Sequence, residues 1–111
     1  MSDKQLMELY IDTLKKCGLF LIKMSNEDIE YNIFEEFDIG VTTFLHDTVL
    51  QRLKAAGFID DVIEEKSKYL RRQYLLLQNS NIYTIHAIKN DMRWRNLLKL
   101  SDEIKEMLCQ N

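Results

Sequence analysis

Apolar residues recur at three- and four-residue steps along most of this chain. That spacing belongs to half-buried helices, not to the alternation of strands. Leu6, Leu9, Tyr10, Thr13, Leu14 and Cys17 mark a first helix. Ser2 is placed to cap it, with Gln5 three residues on to complete a capping box. Gly18 is expected to end it in the left-handed conformation. Residues 19–24 (LFLIKM) form a short apolar run without an obvious partner strand, which predicts a buried helical or irregular segment. Ser25 then caps a second helix, whose stripe is Ile29, Ile33, Phe34 and Phe37 and whose exit is expected at Asp38, Ile39 and Gly40.

Thr42 or Thr43 is expected to cap a third helix, with Leu45, Val49, Leu53 and Ala56 along one face. Gly57 stops it, and Phe58 follows as the hydrophobic residue that often accompanies such a stop. A fourth helix begins at Asp60 or Asp61 and buries Ile63, Leu70, Tyr74 and Leu77, while Glu64 and Lys68 are spaced for an exposed i,i+4 pair. Asn79, Ser80 and Asn81 break the pattern. Residues 82–90 predict a short helix or packed loop. Asn90 or Asp91 caps a last helix, along which Trp94, Leu97, Ser101, Ile104 and Leu108 step by three and four. The expected fold is all-α, a single compact bundle of about five helices in one domain over residues 1–111.

Composition agrees. Among 111 residues there is no proline and only three glycines, a depletion that favours helix interiors. No apolar run is long enough to span a membrane. The polar, amphipathic start lacks the pattern of a secretion signal, so a cytoplasmic protein is expected. Cys17 and Cys109 have no partner at metal-binding spacing and are expected as free thiols.

Charge changes the picture more. Residues 1–65 carry 14 acids and 6 bases, a balance of −8, whereas residues 66–111 carry 4 acids and 9 bases, a balance of +5. From Glu27 to Asp47 there are seven acids and no base. Such a block attracts basic partners over a distance.

Little else names a chemistry. His46 and Asp47 are adjacent, but neighbours on a helix point about 100° apart, so the acid does not simply orient the imidazole for proton transfer. The acids of 27–38 lack the ligand spacing of a calcium loop, and the three glycines are too dispersed to cradle phosphate. No metal or other cofactor is expected. Lys66, Lys68, Arg71, Arg72, Lys89, Arg93, Arg95 and Lys99 could track phosphates if they converged. Overall acidity and the want of an exposed reading helix argue against nucleic acid. Trp94, at regular helical spacing, reads as core more readily than as an interface anchor.

The segments FEEFDIG, TTFLHDTVLQRLKAAGFI, DDVIEEKSKYLRRQYLLL and DMRWRNLLKLSDEIKEML together resemble small bacterial immunity proteins of contact-dependent growth-inhibition and related polymorphic-toxin systems. The resemblance covers roughly residues 28–108 and rests on helix patterns, with Gly40, His46, Gly57, Arg71 and Trp94 entering as fold positions. It implies a cytoplasmic protein without enzymatic activity, a monomer when free. Such a protein binds a cognate C-terminal toxin domain, often a nuclease, and blocks its active site or substrate surface. A toxin with a basic surface would be met by Glu30, Glu35, Glu36, Asp38 and Asp47, with His46 at the rim. The alternative is a small helical nucleic-acid-binding regulator that uses the basic half. A self-associating adaptor is a third reading.

Overall fold

Ser2 and Gln5 behave as their spacing dictates. In the computed structural model, which describes residues 1–110, the Ser2 hydroxyl accepts from the Gln5 amide at 3.1 Å and the Gln5 side chain accepts from the Ser2 amide at 2.9 Å. Helix α1 (Asp3–Lys15) grows from that box. A 3₁₀ turn (Leu19–Lys23) follows. Then come α2 (Asn26–Ile29), a π-helical segment (Glu30–Phe37), α3 (Asp38–Thr43), α4 (Asp47–Ala55), α5 (Asp61–Gln78), α6 (Ile85–Asn90) and α7 (Met92–Cys109). No strand occurs among the described residues. Because α2, the π segment and α3 run on without a break, the described residues form six helical rods.

The end of α1 departs from expectation. Gly18 is extended, with φ 171° and ψ 173°, so no left-handed turn ends the helix. The terminal carbonyls of a helix still need donors, and α7 supplies them. Ser101 Oγ lies 3.2 Å from the Leu14 carbonyl and 2.8 Å from that of Cys17, and Lys105 Nζ lies 2.7 Å from the latter. Asp102 meanwhile accepts from the Leu19 amide at 3.0 Å. A side chain at residue 18 would collide with Asp102. Glycine there allows this close approach of the Asp102 and Lys105 side chains; the extended backbone itself does not call for it.

The long rod over residues 26–43 is the second departure. Ile29, Ile33, Phe37 and Val41 are all fully buried, at intervals of four. Each four-residue step overshoots a 3.6-residue turn by about 40°, so a plain α-helix would wind this stripe off the core. The π segment is wound with bonds one residue longer and turns more slowly. Splicing it between α2 and α3 holds the stripe on one side. Nor does the helix exit at Gly40. That residue is buried inside α3 at its crossing with α1, where an added Cβ would lie 2.8 Å from the Thr13 Cβ.

Thr42 and Thr43 therefore do not cap α4. Both bond back to the Ile39 carbonyl within the last turn of α3. The cap is His46, whose Nδ1 accepts from the Thr48 amide at 3.2 Å. The buried face of α4 carries Leu50 and Leu53, with Val49 half-buried against the core and Ala56 exposed. Gly57 ends that helix as predicted. Its φ is +85°, and the bonds from Phe58 N to Leu53 O and from Gly57 N to Lys54 O, both 3.0 Å, form a Schellman motif.

Asp60 caps α5 through the Ile63 amide at 2.8 Å, and Asp91 caps α7 through Arg93. Glu64, expected on the surface, is only 6% exposed and lies 3.3 Å from Lys54 as well as 3.9 Å from Lys68, bridging α5 to α4. The core closes around Trp94, Tyr10, Tyr74 and Phe37, all fully buried. Trp94 donates its indole N–H to the Ile82 carbonyl at 2.7 Å, which fixes the loop between α5 and α6.

Candidate functional site

The acidic run folds into one face of the rod over residues 26–43. Burying positions 29, 33, 37 and 41 pushes the interleaved positions outward: Glu27, Tyr31, Glu35 and Ile39 are exposed, again four apart. Glu30 is exposed beside them and Glu36 is half-buried. None of these carboxylates has a lysine or arginine within salt-bridge range among the described residues, where every ion pair involves other acids.

Tyr31 and Ile39, 50% and 60% exposed, place an aromatic and an aliphatic side chain within this acidic face. The phenol of Tyr31 is held above its ordinary pKa by a hydrogen bond and charge from Glu36 and by the nearby charge of Glu35. Residues 31 and 36 are five apart, and the π winding brings them together. Beside them lies a cleft of about 350 Å³ between α1 and α3, lined in part by Asp12, Glu36, Ile39 and Phe44. Tyr31, Ile39 and Asp12 escaped the sequence reading. An exposed stripe at four-residue intervals, in register with the buried one, was the signal for the first two. Asp12 had none, because its neighbourhood comes from the crossing of α1 and α3.

The other candidate residues separate from this face. Asp38 is half-buried, and its Oδ1 accepts from the Tyr74 phenol at 2.8 Å and from the Gln78 amide at 2.6 Å. Tyr83 joins through a 2.6 Å bond between the two phenols, and its ring packs at a tilt of 50° against Phe34, with the centroids 4.6 Å apart. Burial, then the bonds to Tyr83 and Asp38, push the Tyr74 phenol far above the usual value. Asp38 thus holds α3 against α5. Asp47 is exposed in the first turn of α4, where a carboxylate complements the helix dipole. His46 is exposed, with Nδ1 committed to the cap and 2.9 Å from the Thr48 hydroxyl.

The basic half is dispersed by its own partners. Lys66 pairs with Glu103 at 2.7 Å, Lys68 sits among Glu64 and Glu65, and Arg93 binds Asp91 at 3.1 Å. The Nε of half-buried Arg71 has no hydrogen-bond partner among the described residues. No group of three or more His, Cys, Asp or Glu suited to a metal occurs among the described residues, and no helix there is long and apolar enough to cross a membrane. Comparison with protein-family models, with curated proteins and with solved structures gives no match.

Proposed function

We propose that this chain is an immunity protein. It binds a cognate bacterial toxin domain, a nuclease being the first expectation, and neutralises it in the cytoplasm by covering its active site or substrate surface. The observation that carries this reading is the exposed face of Glu27, Glu30, Tyr31, Glu35 and Ile39, acidic and unopposed by cations, with apolar side chains inside it. A nuclease surface built for phosphates is basic. Carboxylates set against it speed encounter and fix orientation, while Tyr31 and Ile39 supply the apolar contact that affinity needs. The protein contributes no catalysis in this role, and its site needs no cofactor.

The nucleic-acid alternative draws less support, because several cations it would use are already tied to carboxylates. The test is co-purification with the toxic domain encoded beside this chain, followed by an assay of that domain's activity. Stoichiometric inhibition that weakens with salt is expected. Full toxin activity in the presence of excess protein would refute the reading.

A further inference from the structure

A groove of about 470 Å³ runs between α5 and α7 on a different flank from the acidic rod. The positions of α5 that meet α3, Tyr74 and Gln78, are on the opposite side of that helix from Leu76, which lines the groove. Leu76 is 65% exposed, and Leu77, Leu97 and Leu100 also contribute to the apolar lining. Along α7 the lining extends from Arg93 to Glu103, a rise of about 15 Å or nearly three helical turns, and along α5 from Tyr69 to Leu77.

The rim is cationic. Lys99 lines it, the Arg72 guanidinium lies over the Tyr69 ring at 5.8 Å, and the charge of Arg93, also in the lining, is already held by Asp91 at 3.1 Å. The acid in the lining, Glu103, is neutralised by Lys66 at 2.7 Å, and Lys99 has no carboxylate partner among the described residues.

We infer that this groove is a second docking surface, which takes an acidic amphipathic helix of a partner polypeptide. The length fits about three turns, with apolar anchors at i, i+3 or i+4, and i+7 inserted beside Leu76 and acids on the flanks meeting Arg72 and Lys99. A polypeptide is favoured over nucleic acid because the floor is aliphatic. A phosphate backbone gains from a continuous cationic surface and nothing from buried leucines. The inference stands apart from the acidic face, since it uses other elements and the opposite charge.

The test uses three fluorescently labelled amphipathic peptides of twelve residues, with one apolar face and with Glu, Gln or Lys on the flanks. Binding to the intact protein is followed by anisotropy. The Glu peptide is expected to bind about tenfold or more tighter than the Lys peptide. Leu76→Glu, a change at an exposed position, should abolish that binding. The pair Arg72→Glu and Lys99→Glu should reverse the preference, and Glu35→Lys should leave it unchanged. Equal affinity for all three peptides, or affinity indifferent to Leu76→Glu, would overturn the inference. So would a duplex oligonucleotide that displaces the Glu peptide, or a concentration-dependent increase in mass that Leu76→Glu removes, which would assign the groove to nucleic acid or to a second copy of the chain.

Discussion

The phenol of Tyr74 donates to the Asp38 carboxylate across 2.8 Å, joining α5 to α3 between residues 36 positions apart. Gln78 donates to the same oxygen. Asp38→Ala leaves the Gln78 amide without its acceptor and Tyr74 with only Tyr83. A half-buried pair of this kind costs about 1–3 kcal/mol when its acceptor is lost. Glu35→Ala, on the exposed face, should change stability by less than about 0.5 kcal/mol. Urea midpoints at constant m-value compare the two, and equal midpoints would show that Asp38 is not a structural residue.

Gly40 and Thr13 set the approach of α3 to α1. Gly40→Ala puts a methyl group against the Thr13 side chain, and overpacking of this order costs about 1–3 kcal/mol. Adding Thr13→Ala makes room. The double variant should be more stable than the sum of the single effects predicts, by more than about 0.5 kcal/mol. Strict additivity in thermal or urea unfolding would contradict the crossing.

The two thiols should differ in kind. Burial pushes the Cys17 thiol up to about 12, although its hydrogen bond to Ser101 and the charge of Lys105 oppose this. Cys109 is exposed at the end of α7. Reaction is through the thiolate. An aromatic disulfide reagent at neutral pH should therefore consume one thiol quickly and the second only at the rate of unfolding. Rapid reaction of both would place Cys17 outside the core.

Alkaline pH should unfold the protein, and the sign follows from the same groups. Burial raises the Tyr10 phenol from 10.0 to about 12 and the Cys17 thiol from 9.0 to about 12. Each group keeps its proton longer when folded than when unfolded. Its contribution is complete below the unfolded value and is lost as pH rises from there towards 12. Stability should decline from about pH 9 upward, and Tyr10→Phe should flatten the decline above pH 10. A stability profile level to pH 12 would contradict the burial of both groups.

Elements whose signals are local were legible in the sequence. The Ser2–Gln5 box, the Asp60 and Asp91 caps and the Gly57 stop each depend on a few adjacent residues. The core face of α7, from Trp94 to Ile104, was legible because the period is regular. What failed depended on distant partners. Gly40 looks like an exit until Thr13 is placed against it, and Gly18 looks like a left-handed stop until Asp102 arrives from α7. Glu64 reads as a surface residue until Lys54 closes over it. The acidic block was visible as charge, but its division was not. Asp38 points to Tyr74, whereas Glu35 points to solvent, and four-residue spacing through a π segment separates them.

The central claim is that the exposed acids of the rod over residues 26–43 bind the toxin. The direct measurement is the affinity of the proposed toxin domain for the protein and for the combined variant Glu27→Lys, Glu30→Lys and Glu35→Lys, by titration calorimetry at fixed salt with folding checked by circular dichroism. Loss of affinity by about a hundredfold or more is predicted, with Arg93→Glu in the same assay close to the unchanged protein. An unaltered affinity for the folded triple variant would contradict the account.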